Sequence, residues 1–355
     1  MRTRTATAGE EAMQALSESL SEIRERAAAH EHSGDWNAAM EAFERLFQRG
    51  VEERDPFTVA GALRGSARVR RRLECFEEAE EIAELSFEIA QRNGLKGAAA
   101  QAVNGLAAIY HVQQDWTRAA QLYAKALDLA LDAGDDSTVG HASQNLGIIA
   151  NIQGRLPEAR ARYLESIASS VRSGDKVSAM TAYNNLGIVC TDLQEWMEAE
   201  LYFNRGIEVA EQVGDSGLLA MLHANRAKPL IHVGEFAKAR LVLAAAYTAA
   251  ACIGDRGTLA EVEVSRATIA RLHGDFAAAE THLQRAITLA TEGDLEREHA
   301  LALEGIAQLR WDQGRQVEAL AQLGRACEIF HFVGSERDAA RAEALLTGWK
   351  AEEAE

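Results

Sequence analysis

The chain has 355 residues, of which 68 are Ala and only 3 are Pro, and its formal net charge is −17. Ala is the best helix former and Pro breaks helices, so this composition favours long, uninterrupted helices. The acidic balance disfavours binding to nucleic acid or anionic lipid. No run approaches 18 apolar residues, and the N-terminus lacks an apolar secretory core. We therefore expect a cytoplasmic protein with no membrane span.

A repeat of 40 residues organises the sequence. Large apolar side chains recur at this spacing from Trp36 to Phe276, and only the last member of the column, Gln316, departs. Three residues further on, the column reads Ala39, Ala79, Ala119, Ala159, Ala199, Ala239, Ala279 and Ala319. A second column of Ala or Gly precedes it by twelve residues, from Ala27 to Ala307. Two small columns at this distance predict two helices whose backbones cross closely.

Taken in chain order, the repeats predict eight helical hairpins between residues 16 and 335, after an N-terminal segment over residues 1–15. Within the fifth hairpin, apolar spacing predicts helices over 180–192 and 196–212. Gly falls in both kinds of turn, for example at Gly154 and Gly174, where it can end a helix in the left-handed conformation. Asp follows the second Gly in several repeats and can cap the next helix. At Gly293 this signal falls one residue early, which predicts a single slip in register that the next repeat absorbs.

A last helix is predicted over residues 336–350, followed by a short tail to residue 355. We expect it to cap the open apolar face of the eighth hairpin. The four cysteines are widely spaced and form no CxxC pair, so buried, reduced thiols are expected.

The positions of small and bulky residues resemble the tetratricopeptide repeat (TPR). The small columns match its eighth and twentieth positions, and the bulky columns that begin at Trp36 and Phe43 match its seventeenth and twenty-fourth. The 40-residue length is similar to the TPRs of kinesin light chain, of Pins-type proteins and of bacterial peptide-sensing regulators. This resemblance implies an all-α, right-handed superhelical solenoid that binds a protein or peptide and performs no chemistry.

In such a solenoid the first helix of each hairpin lines a concave groove. The fifth and sixth positions of repeats 3 to 6 are rich in carboxamides, which can both donate to and accept from an extended peptide backbone. The same residues could instead bond to neighbouring helices and hold the repeats together. The carboxamides are Asn104, Gln144, Asn145, Asn184, Asn185 and Asn225.

An arginine cluster in the second repeat predicts an anion anchor for an acidic or phosphorylated ligand segment, because guanidinium groups suit carboxylate and phosphate. A solvated face balanced by nearby glutamates is the alternative. The predicted anchors, at the fifth, ninth, twelfth and thirteenth positions, are Arg64, Arg68, Arg71 and Arg72. Further groove candidates are Gln101, His141 and Lys228.

The sequence contains no motif for catalysis, cofactor binding or a metal site, so we expect a protein that is not an enzyme and has no cofactor. Its predicted function is to bind an extended, acidic peptide segment as a scaffold or adaptor. Two alternatives stay open. The chain could be an architectural subunit that self-associates or organises a larger assembly through convex or terminal surfaces, with contacts from Phe330, Phe332 and Trp349 near its C-terminus. It could also be the ligand-sensing module of a regulatory system.

Overall fold

The computed structural model describes residues 18–353, and this part of the chain forms seventeen α-helices and no β-strand. The predicted segment 1–15 and the last two residues lie outside it. The helices are α1 (Leu20–Ser33), α2 (Trp36–Glu52), α3 (Pro56–Arg72), α4 (Phe76–Arg92), α5 (Lys96–Val112), α6 (Trp116–Ala133), α7 (Asp136–Ile152), α8 (Leu156–Ser173), α9 (Lys176–Asp192), α10 (Trp196–Val213), α11 (Ser216–His232), α12 (Phe236–Ile253), α13 (Arg256–Leu272), α14 (Phe276–Glu292), α15 (Glu296–Asp312), α16 (Gln316–Phe332) and α17 (Glu336–Glu353).

These helices form the eight predicted hairpins plus one final helix. The fold belongs to the predicted class, the all-α, TPR-like solenoids. The chain divides into two compact units, and the boundary between Leu146 and Gly147 lies inside α7. Within unit 1, the first helices α3 and α5 of neighbouring hairpins contact each other directly. Within unit 2, the first helices α9, α11, α13 and α15 contact one another in succession.

The two columns of small residues lie where the helices of a hairpin cross. All eight residues of the Ala column are fully buried. In the other column, a Cβ atom added to Gly187 would lie 2.6 Å from the ring of Phe203, and one added to Gly147 would lie 2.7 Å from the ring of Tyr163. The small residues are therefore required by the close approach of the helices.

The turns contain the predicted left-handed residues. Gly154 and Gly174, for example, have φ angles of 71° and 76°. Where the first turn of a hairpin lacks Gly, another residue takes this conformation, as Gln114 does at φ 61°. The predicted register slip at Gly293 is wrong. Asp294 adopts the left-handed conformation with φ 51°, Gly293 has φ −104°, and the helices keep their 40-residue spacing, because repeat packing fixes the turn more strongly than the preference of glycine.

The aspartates that follow these turns cap the next helices, as predicted. The side chain of Asp215 accepts a hydrogen bond from the Leu218 backbone at 2.9 Å, and Asp175 accepts one from the Ser178 backbone at 3.0 Å. At the start of α3, Asp55 accepts from the Phe57 backbone and Pro56 is the first helical residue.

The final helix packs onto the eighth hairpin. Trp349 of α17 stacks on Trp311 of α15, with ring centroids 4.4 Å apart and planes 5° apart. Trp349 is 8% exposed and Phe330 is fully buried, whereas Phe332 is 85% exposed. Two of the three aromatic residues considered for self-association thus belong to the core of their own unit.

The expectation of buried thiols needs correction, and one helix bears on the expectation that there is no membrane span. Cys190 and Cys327 are buried, but Cys75 is half-buried and Cys252, near the C-terminal end of α12, is exposed. By length and composition, α12 is apolar enough to span a membrane, with a mean hydropathy of 1.4 over 18 residues. Its Ala239, Leu243 and Ala246 are nevertheless buried in the repeat core, and 28% of the helix is buried in all.

Candidate functional site

Unit 1 contains a cavity of about 310 Å³ lined by the first helices α3, α5 and α7. We call it the unit 1 cavity. Six of the residues predicted to bind a ligand line it together: Arg64, Arg68, Arg71, Gln101, Asn104 and His141. Gly105 also lines the cavity, and a Cβ atom added to it would meet no atom within 4 Å.

The three arginines of this cavity differ in their partners. Arg68 pairs with Glu31, and its Nε lies 2.6 Å from the carboxylate. Arg64 and Arg71 form no hydrogen bond or ion pair with any residue in the described range. Burial, together with the positive charge of Arg68, lowers the pKa of Arg64 to about 10. Burial and the neighbouring Arg72 lower the pKa of Arg71 as well.

The polar residues of unit 1 are only partly engaged. Gln101 donates to the Asp135 carboxylate at 2.9 Å. Burial favours the neutral form of Asp135, but hydrogen bonds from Thr138 and Gln101 outweigh this effect and lower its pKa. In the described part of the chain, the Oδ1 atom of Asn104 and the Oε1 atom of Gln144 are buried without a hydrogen-bond donor. Asn104 lines the cavity, so its Oδ1 atom could accept a hydrogen bond from a ligand without losing an existing one.

Three predicted residues of unit 1 do not line its cavity. Arg72 lies on the exposed side of α3. Gln144 and Asn145 lie on α7, beyond the residues that line the cavity. Asn145 is half-buried.

Unit 2 contains a larger cavity of about 690 Å³, lined by the first helices α9, α11, α13 and α15 and by α17. We call it the unit 2 cavity. Of the predicted residues, Asn225 and Lys228 line it, and Asn184 and Asn185 do not. Asn225 donates from Nδ2 to Oδ1 of Asn184 at 3.0 Å, and both side chains are buried. This pair has the arrangement of the alternative interpretation, in which carboxamides join neighbouring first helices.

A network of ion pairs crosses the same cavity. Arg297 contacts Glu261 at 3.1 Å and Asp338 at 2.9 Å, and Arg341 contacts Asp338 and Glu304, each at 2.6 Å. Burial raises the pKa of the Glu261 carboxyl, but Lys228 and Arg297 outweigh that effect and hold it below its usual range. Such pairs fix the spacing of the first helices, because each side chain bridges two of them.

This network was not predicted from the sequence, although one signal for it was present. Glu261 and Arg341 occupy the second position of their repeats, the column from which Gln101 and His141 were selected. Charged side chains in that column could have pointed to ion pairs with neighbouring repeats. In the described part of the chain, no group of three or more His, Cys, Asp or Glu side chains is arranged to hold a metal ion.

Two tetratricopeptide repeat family models match the chain, over residues 98–170 and 265–330. No curated protein matches it significantly. Together with the helical hairpins and their small-residue columns, these matches show that the chain contains tetratricopeptide repeats.

Solved structures with this fold are similar to the chain at low identity. A signal transduction ATPase with a tetratricopeptide repeat sensor from Pyrococcus horikoshii is 17% identical with a TM-score of 0.65, over 79% of this chain and 44% of that one. The chain thus spans less than half the length of that protein. BtubC (BKLC) from P. vanneervenii is 19% identical with a TM-score of 0.55, over 62% and 92%. A Rap protein complexed with competence and sporulation factor is 12% identical with a TM-score of 0.56, over 94% and 97%.

Proposed function

We propose that this chain is a noncatalytic peptide-binding protein, and that the unit 1 cavity receives an acidic group of the ligand. One observation carries the proposal. Arg64 and Arg71 line a cavity in a partly buried position, and neither forms a hydrogen bond or ion pair with a carboxylate in the described chain, although the charge of Asp135 acts on Arg64 from a greater distance. A buried cation without a directly paired carboxylate is costly, so a ligand carboxylate or phosphate would relieve an existing penalty.

The cavity also offers groups that could orient a peptide backbone. The unpaired Oδ1 atom of Asn104 can accept from a ligand amide, while the guanidinium groups of Arg64 and Arg71 can donate to a carboxylate. Each hydrogen bond contributes about 1 kcal/mol net, and those to charged groups contribute about 1.5–3 kcal/mol. The arginines should therefore supply most of the affinity, and the amides should set the position of the ligand.

Similar proteins offer support at the level of function. One solved Rap structure of this fold is complexed with competence and sporulation factor, and another, the Rap conjugation gene regulator of plasmid pLS20, is in complex with the Phr* peptide. A fold of this kind can thus hold a peptide. The sensing alternative would require a second conformation. The architectural alternative has less support, because Phe330 and Trp349 are buried within their own unit.

The test is selection from a random peptide library on the immobilised full chain. We expect enrichment of peptides with Asp or Glu, and a loss of at least ten-fold in affinity for those peptides in the double variant Arg64→Gln with Arg71→Gln. Arg92→Gln serves as the matched control, since Arg92 is an exposed arginine of the same hairpin paired with Glu88. Selection without acidic enrichment, or equal affinity in the double variant, would contradict the proposal.

The contribution of the amides is tested separately with the variant Asn104→Ala. It should weaken the same peptides by less than the arginine variant does, because a neutral hydrogen bond is weaker than a charge-assisted one. Arg92→Gln is again the control.

A further inference from the structure

An ion pair joins the first and the last of the helices that line the unit 2 cavity. Arg337, the second residue of α17, donates to Oδ1 of Asp192, the last residue of α9. The two residues are 145 positions apart in the sequence, and both line the cavity. Three other first helices, α11, α13 and α15, line the cavity between them. This ion pair therefore spans the cavity.

The carboxylate of Asp192 can accept more hydrogen bonds than Arg337 donates to it. Its side chain is 19% exposed, and its Oδ2 atom is buried without a hydrogen-bond donor in the described chain. Burial raises the pKa of this carboxyl above its usual range, although Arg337, Lys228 and Arg341 act in the opposite direction. The carboxylate is thus incompletely compensated by the cations around it.

The lining of the cavity as a whole favours a positive ligand group. It carries six carboxylates and four cationic side chains. The carboxylates are Asp192, Asp255, Glu261, Glu298, Glu304 and Asp338. Lys228, Arg297 and Arg341 are each held by carboxylates that line the cavity. Among the residues that the structure describes, Arg337 pairs only with Asp192, and its side chain is 44% exposed, so its displacement requires little rearrangement.

The size of the cavity is also suitable, because ligand pockets of about 300–1,000 Å³ hold small molecules or a few peptide residues. From these observations we propose that the unit 2 cavity is a second ligand site, which binds a guanidinium or ammonium group at Asp192. Arg337 competes with the ligand for Asp192. Its guanidinium group pairs with the Asp192 carboxylate when no ligand is bound, and a ligand cation displaces it. The affinity for a cationic ligand is accordingly lower than Asp192 alone would give.

The experiment measures binding of a probe peptide, acetyl-Gly-Arg-Gly-amide, to the full chain by isothermal titration calorimetry. Removal of the competitor in Arg337→Gln should tighten binding by at least ten-fold. Asp192→Asn should weaken it, and the double variant should show no gain over wild type. The same peptide with citrulline in place of arginine has nearly the same shape without the charge, and it should show no gain in Arg337→Gln.

Arg205→Gln is the matched control, because Arg205 forms an exposed ion pair with Glu208 in unit 2, outside the cavity. It should bind the probe like wild type. Arg337→Lys keeps a cation on α17 but loses the planar guanidinium, so it should give an intermediate gain and serves as the second variant if Arg337→Gln folds poorly. Circular dichroism checks that each variant is folded.

Three results would overturn the proposal: affinity of both Arg337 variants within two-fold of wild type, an equal gain with the citrulline peptide, or no binding of the probe to any variant. This site lies in unit 2 and takes a cation, whereas the proposed function depends on Arg64 and Arg71 of unit 1 and on an acidic ligand. Either proposal can therefore fail without the other.

Discussion

Two glycines of the first helices have opposite surroundings, although both lie inside a helix. A Cβ atom at Gly187 would lie 2.6 Å from the ring of Phe203, whereas one at Gly105 would meet no atom within 4 Å. We expect Gly187→Ala to lower the free energy of unfolding by about 1–3 kcal/mol through overpacking. Gly105→Ala should raise it by about 0.5–1 kcal/mol, because glycine is a poor helix former.

Urea unfolding followed by circular dichroism measures both changes. The two variants are controls for each other, since the added methyl group is the same. Equal shifts of the unfolding midpoint in the same direction would show that helix propensity, and not the packing of the Phe203 ring, decides the outcome.

The pKa of His111 reports on the charge of Arg71, which lines the unit 1 cavity. Burial, and then the charge of Arg71, lowers the pKa of His111 below 6.5. Its ring lies edge-on to Trp116 and Tyr123, with centroids 5.3 and 6.0 Å away. We expect Arg71→Gln to raise the pKa of His111, because a nearby positive charge is removed, while burial still keeps it below 6.5.

NMR titration of the histidine ring protons measures this pKa. His223 is the internal control, because its pKa is lowered by burial and by Arg226 rather than by Arg71. Because the pKa of His111 is lower in the folded state, its contribution to stability is present above pH 6.5 and is lost as the pH falls from there towards the folded pKa. An unchanged His111 pKa in Arg71→Gln would indicate that Arg71 does not act on this ring.

At the scale of elements, the last helix α17 closes the core of unit 2. We expect Trp349→Ala to destabilise unit 2 by about 3–5 kcal/mol, because it removes a buried indole that stacks on Trp311. Phe332→Ala should change the free energy of unfolding by less than about 0.5 kcal/mol, since Phe332 is 85% exposed.

Thermal unfolding followed by tryptophan fluorescence tests this pair of variants, and size-exclusion chromatography with light scattering tests the architectural alternative on the same samples. A stable wild-type oligomer that Phe332→Ala dissociates would favour that alternative. A small effect of Trp349→Ala on stability would contradict the role of α17 as a cap.

The helix boundaries could be predicted closely because each repeat contains the residues that begin and end its helices. The segment 196–212 became α10, Trp196–Val213, and the final helix begins at residue 336 as predicted. These boundaries depend on local chemistry, such as capping aspartates and left-handed glycines. The register at Gly293 could not be predicted, because there the packing of whole repeats overrides the local preference.

The candidate sites could be predicted only in part, since a column of the repeat says which face of a helix a residue occupies but not which residues meet. Six predicted residues line the unit 1 cavity, which a single hairpin and its neighbours define. The contact between Asp192 and Arg337 depends instead on the summed geometry of several repeats. Likewise, the columns do not show that Asn184, and not its neighbour Asn185, bonds to Asn225.

At the scale of the whole molecule, the net charge of −17 opposes the approach of an acidic ligand even though Arg64 and Arg71 attract it at close range. The two effects have different ranges. The Debye length is about 30 Å at 0.01 M salt and about 8 Å at 0.15 M, so salt screens the long-range repulsion before it screens a contact in a cavity. The long-range field acts mainly on the association rate, and the close contacts act mainly on the dissociation rate.

This difference predicts opposite salt effects for the two kinds of ligand. For an acidic peptide selected on the unit 1 cavity, the association rate constant should rise by about two- to ten-fold between 0.01 and 0.15 M KCl, because the repulsion by the whole protein is screened. For the arginine probe with Arg337→Gln, it should fall over the same range, because the net charge attracts that ligand. Stopped-flow fluorescence with labelled peptides measures both rates, with the citrulline peptide as the uncharged control. An association rate for the acidic peptide that falls with salt would mean that the arginines of the unit 1 cavity, and not the net charge, govern its approach.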